Sequence, residues 1–255
     1  MALTPNEMVN YFEDEIEAID EAINNALDKN DYNLITLNYS EKFNAHLMVA
    51  LIDWRHELRN PFKSLSNAFL VAEESIDIFN RIDSSKEHWK SFDYTSALFV
   101  SILIDASAQK LKTSLCDIDN WKSHINQNTD SVLETCIIKA LYEGEEPKQW
   151  EGIIAHMGKR KRIALLTRTY SNYMSIINDL RAGNQFTSEE HVREAIKLFN
   201  LRSQDSYYEG GLSISGGGPD NAHVVDFILA AIIKFIRIEN LKFAENIDSF
   251  HFWKC

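Results

Sequence analysis

Glycine and proline are scarce in this chain, with 9 and 4 in 255 residues. Five of the glycines sit between Gly210 and Gly218, so long stretches elsewhere run without a helix breaker. That scarcity argues against an all-β fold with many turns and favours helices. Cysteine is also sparse. Cys116, Cys136 and Cys255 are widely spaced, with neither a disulfide framework nor a metal or redox pattern, which suits a reducing compartment. Long hydrophobic runs are missing too: the one candidate, Val224 to Ile238, holds Asp226, Lys234 and Arg237 and is too short to span a bilayer. It reads as a central buried helix. No positive n-region followed by an apolar stretch opens the chain, so no secretory signal is expected and the cytoplasm is the expected location.

Basic residues are nearly absent from the first 31 positions. Nine acids (Glu7, Glu13, Asp14, Glu15, Glu17, Asp20, Glu21, Asp28 and Asp31) face only Lys29, so this stretch carries −8 of the chain's −12. A bias of this kind attracts cationic partners and repels nucleic acid and anionic membranes. The segment is also a well-marked helix. Thr4-Pro5-Asn6-Glu7 is a capping box with proline at the first helical position. Met8, Val9, Phe12, Ile16, Ile19, Ile23, Ala26 and Leu27 then recur at three- and four-residue steps and form one apolar stripe. Glu13, Asp14, Glu17, Asp20 and Glu21 fall off that stripe, which turns them toward solvent or a partner.

The 45% apolar content supports a sizeable core. Further helices are expected over Glu41–Arg59, from Asn60-Pro61 to about Arg81, over Tyr94–Leu111 and over Ser131–Tyr142. A short helix should run from Pro147 to Gly158, followed by helices over Arg162–Ala182, from Thr187 to about Leu201 and over Ala222–Ile238. Gly144, Gly158 and Gly183 mark stops where a left-handed cap is expected, and Thr187-Ser188-Glu189-Glu190 reads as a second capping box. No stretch alternates with period two. The expected fold is all-α: a single helical domain, residues 1–255, of about 9–11 helices in antiparallel pairs, with degenerate helical hairpins and lobes 1–112 and 131–255 as options.

Candidate chemistry is thin. Arg55-His56-Glu57-Leu58-Arg59-Asn60-Pro61 looks like the phospho-accepting box of sensor histidine kinases, but the Asp-x-Gly-x-Gly loops of an ATP-binding domain are absent. A second histidine four places on would be needed for a zinc-protease site, and Asn60 stands there, so no metal site is expected. The Tyr207–Asn221 stretch concentrates glycine ahead of a helix but lacks the Gly-Lys-Ser/Thr end of a phosphate loop. It reads as a structural or partner-binding loop, with Asp205, Tyr207, Tyr208, Glu209 and Asp220 as contact candidates and Asp220 or Asn221 as the next helix cap. Gly158-Lys159-Arg160-Lys161-Arg162 is the one basic run, too small a patch for nucleic acid in a chain of this charge. Tyr170 and Tyr173 beside it are expected to pack against neighbouring helices. No cofactor is implied.

Taken with Asp220-Asn221-Ala222-His223-Val224-Val225-Asp226-Phe227-Ile228-Leu229-Ala230-Ala231, this acidic helical chain resembles bacterial immunity proteins of polymorphic toxin systems, most nearly the immunity protein 49 type. The resemblance implies a cytosolic protein without catalysis of its own, which binds a cognate toxin domain and blocks its active site or substrate channel. The acidic helix suits a basic, nucleic-acid-targeting toxin, with Trp54, Tyr207 and Tyr208 as possible desolvated anchors. A helical-repeat scaffold is the alternative, and a His56 phosphotransfer protein a third. Oligomeric state is not encoded in any recognisable pattern.

Overall fold

The computed structural model describes residues 4–79, 94–112, 115, 117–124, 129–158, 164–208 and 225–236. Among them there are helices and no strand, so the fold is all-α. Contacts divide the chain into two units, Met1–Ser114 and Leu115–Cys255.

The first unit is built on two long helices, α1 (Pro5–Asp28) and α2 (Tyr32–His56). The capping box forms as expected: the Glu7 amide donates to Thr4 Oγ1 at 3.3 Å and the Thr4 amide donates to Glu7 Oε2 at 2.7 Å. Those bonds satisfy two otherwise orphan donors and hold the Glu7 carboxyl below its usual pKa. Six stripe residues are buried, while Ile16 is half-buried and Leu27 is exposed.

α2 starts nine residues earlier than its pattern suggests. The chain reverses over Lys29-Asn30, with Asn30 left-handed at φ 53° and the Asp31 amide donating to the Ala26 carbonyl. Asp31 then caps α2 through the Leu34 amide at 3.2 Å, so the β-branched 35–36 pair is helical from the start. From Leu47 to Asp53 every residue of α2 is buried, because α1 packs on one side and α3 (Phe62–Phe79) on the other. α2 also stops three residues early, where Glu57 takes the left-handed conformation at φ 52°.

Asn60 opens α3 by accepting the Phe62 amide at 2.9 Å. The single helix expected over 94–111 is two, α4 (Tyr94–Leu103) and α5 (Gln109–Lys112). The break is at Asp105, left-handed at φ 55°, where the Ala106 amide reaches back to the Ser101 carbonyl. Ser75 Oγ and the Tyr94 hydroxyl, 3.2 Å apart and buried, tie α3 to α4.

In the second unit a 3-10 turn (Ile118–Asn120) leads into α6 (Trp121–His124), then α7 (Thr129–Glu143), α8 (Trp150–Met157), α9 (Ala164–Arg181), α10 (Gln185–Tyr208) and α11 (Phe227–Phe235). Gly144 at φ 87° and Gly183 at φ 74° are left-handed caps, as expected. Gly158 is not: at φ −58° it is right-handed. α10 departs from expectation at both ends. It starts two residues ahead of the Thr187 box, because the Asn184 amide closes the α9 end onto the Asp179 carbonyl and the chain turns straight into helix. It continues through Tyr208, so 203–208 are helical rather than irregular. Residues 209–221, with the glycine cluster, lie outside the described residues.

α11 is shorter than expected. Its cap is Asp226, whose Oδ1 accepts the Leu229 amide at 3.0 Å, and Val225 and Asp226 are not helical. The cap role expected of Asp220 or Asn221 therefore belongs to Asp226. Phe227 to Ile233 are all buried, in keeping with the expected buried helix.

Candidate functional site

The five acids singled out on α1 separate into two sets. Glu13 and Asp20 lie on one flank and are neutralised by one cation just beyond α2 and one within it: Arg59 Nη1 sits 2.8 Å from Glu13 Oε1, and Lys42 Nζ 2.5 Å from Asp20 Oδ1. Asp14, Glu17 and Glu21 are exposed and enter no ion pair among the described residues. Their spacing explains the difference. Asn10, Asp14, Glu17, Glu21, Asn24 and Asp28 follow steps of four, three, four, three and four, one row along the helix, and all six are exposed. That row lies opposite the buried stripe, out of reach of α2.

The Arg59 contact is a clamp. Its Nε donates to both carboxylate oxygens of Asp53, at 3.1 and 3.2 Å, while Asp53 is 1% exposed. Hydrogen bonding to Asp53, then to Glu13, raises the guanidinium pKa further. The left-handed turn at Glu57 makes this possible by swinging Arg59 back along α2. Farther along the same α2 face, His46 is pushed down to about 4, first by burial and then by Lys42, with Asp20 opposing. Asn38, one turn before Lys42, is 4% exposed and its Nδ2 has no hydrogen-bond partner among the described residues.

On the other flank the Tyr11 hydroxyl donates to Glu15 Oε1 at 3.4 Å. Glu41 of α2 is raised in pKa, first by partial burial and then by the charge of Glu15.

His56 ends α2 on the surface, with its pKa lowered by partial burial and then by Arg55. No group of three or more His, Cys, Asp or Glu suited to a metal occurs among the described residues. None of their helices is long and apolar enough to cross a membrane. Trp54 is half-buried.

In the second unit, Asp205, Tyr207 and Tyr208 fall on the last turns of α10, whereas Glu209 and Asp220 lie outside the described residues, as does the basic run from Lys159 to Arg162. Tyr170 and Tyr173 are buried as expected, but each also holds an acid. The Tyr170 hydroxyl donates to Glu134 Oε1 at 2.7 Å, and the Tyr173 hydroxyl is 2.8 Å from both oxygens of Asp226. Their rings meet edge to face at 5.4 Å, so α9 is pinned to α7 and to the start of α11. Sequence reasoning missed these pins and the Arg59 clamp. Partners 36, 46 and 53 residues apart leave no local signal.

No family model matches this chain, and neither a curated protein nor a solved structure matches it.

Proposed function

We propose that this protein is an inhibitor of the immunity type, binding a basic toxin domain through the outer face of α1 and carrying out no chemistry itself. The observation that carries this reading is the exposed row of Asp14, Glu17 and Glu21, left without cations while the flanking Glu13 and Asp20 are paired. Solvated carboxylates in a fixed row raise the encounter rate with a basic cleft and stand where phosphates would in the toxin's own substrate. The contact surface is accordingly narrower than five acids: Glu13 and Asp20 serve the fold first. The toxin is expected to act on nucleic acid, since that chemistry needs a basic cleft.

The test starts from the gene next to that of this chain. Its product, expressed alone, should arrest growth, and co-expression of this chain should restore it. In stopped flow at low salt, Asp14→Lys/Glu17→Lys/Glu21→Lys should slow association by roughly tenfold or more and flatten its salt dependence. If the neighbouring product is harmless, or if association is as fast for the triple variant, the reading is abandoned.

A further inference from the structure

α1 packs chiefly on α2, so it can leave without separating α2 from α3 or α3 from α4. One flank of that α1–α2 seam is polar. Lys42 Nζ lies 2.5 Å from Asp20 Oδ1, and the Lys42 side chain is only 17% exposed, so its ammonium depends on this carboxylate in place of water. His46 stands one turn farther along α2, four residues on and therefore beside Lys42 on the same row. It is half-buried, and its ring makes no hydrogen bond among the described residues.

Few charges reach His46. Lys42 is on its own helix, and Asp20 comes from α1. Glu17, the neighbouring acid of α1, belongs to the exposed outer row. Among the described residues α3 presents no charge to the ring, and its Glu74 acts on Tyr39 instead. Glu13, Arg59 and Asp53 form a cluster of their own, two turns beyond His46. A neutral imidazole fits this arrangement. A protonated one is a second cation beside Lys42, and Asp20 must then serve both in a place largely closed to water.

We infer that the α1–α2 seam is an acid-operated latch: protonation of His46 sets two cations against Asp20, and the second half of α1, residues 19–28, leaves α2 while α3 and α4 stay packed. Opening returns His46, Lys42 and Asp20 to water, where each keeps its charge without needing the others. Burial first and Lys42 second hold the ring at about 4 in the closed seam, against about 6.5 in the open one. Closing therefore depresses the histidine, and the closed form is fully favoured above about pH 6.5 and loses that advantage as pH falls toward 4. From about pH 7 to about pH 5 the opening constant rises roughly twentyfold. The latch needs no partner, so it stands apart from the proposal that α1 receives one.

The test is amide hydrogen exchange of the full chain at about pH 7 and about pH 5, corrected for intrinsic rates. Amides of residues 19–28 should be less protected than those of the buried helix α4 at both values, and their opening should rise roughly twentyfold on acidification. His46→Gln should abolish most of that rise. Lys42→Gln leaves Asp20 to the imidazolium alone and should cut the rise to a few-fold, which keeps the test decisive if the His46 variant folds poorly. Equal protection of α1 and α4 overturns the latch, because α1 would then open only with the rest of its unit. So does α1 protection that ignores pH. A full rise in either variant overturns it too, since the contest between His46 and Lys42 would then play no part in the opening.

Discussion

The two units handle buried charge differently. In the first, an acid inside the fold is met by a cation whose other side is in water: Asp53 is buried, and Arg59 above it is about half exposed. In the second, acids are met by tyrosine hydroxyls, with Glu134 and Tyr170 both buried. An ion pair at the rim requires one partner to remain solvated and leaves charge displayed around it. A tyrosine–carboxylate pin takes the acid out of the surface pattern. The contrast leaves exposed carboxylates on α1 and reserves the described Tyr170 and Tyr173 pins for holding helices together.

Removing the cation should break this contrast most visibly. Arg59→Met leaves Asp53 buried without its bidentate donor, and unfolding in urea should show a loss of about 3 kcal/mol. Adding Asp53→Asn should recover more than half. A loss below about 1 kcal/mol for Arg59→Met would mean that water reaches Asp53 and the clamp is only a surface pair.

Tyr170→Phe is the matching cut in the second unit. It takes one donor from Glu134, which is 6% exposed, and should cost about 2 kcal/mol. Tyr173→Phe should cost less, because Asp226 is half-buried and also holds the Leu229 amide. Equal losses would show that the depth of the acid does not set the cost.

The α1–α2 seam should also answer to pH. His46 titrates near 4 in the folded chain against about 6.5 when unfolded, so folding favours the neutral ring. Its contribution is full above pH 6.5 and falls as pH drops toward 4, by on the order of 2 kcal/mol. His46→Gln should flatten that part of the stability curve. If the wild-type and variant curves run parallel between pH 4 and pH 6.5 (roughly the span of the two pKa values), His46 is no part of the pH response.

The smallest effect expected is a gain. Glu57 is held left-handed, which costs a residue with a side chain about 1 kcal/mol or more, so Glu57→Gly should stabilise by about 0.5 kcal/mol after the extra entropy of the unfolded glycine. An unchanged or lower melting temperature would show that the Glu57 side chain contributes something of its own.

What could be read from sequence follows the range of the forces involved. The start of α1 and six residues of its buried stripe are legible, because a capping box and a helical stripe are local. Gly144 and Gly183 were legible as stops, but Asn30, Glu57 and Asp105 adopt the same conformation without the residue that advertises it. Hence the early start of α2, its early end and the split of α4 from α5 escaped notice. The acidic face was legible as charge and not as a surface: only the positions of Lys42 and Arg59 separate Asp14, Glu17 and Glu21 from Glu13 and Asp20. The spacing of Leu27 predicts a place in the buried stripe, yet it is exposed beside the fully buried Ala26.

The turn at Glu57 carries one more consequence. The Leu58 amide donates to the Asp53 carbonyl at 3.0 Å, while the Asp53 side chain holds Arg59, so one residue anchors both the backbone and side-chain halves of the closure. Deuterium uptake at Leu58 is therefore a built-in gauge for the end of α2. It reports in a single amide whether a partner settling on α1, and drawing Glu13 away from Arg59, also loosens the helix behind it.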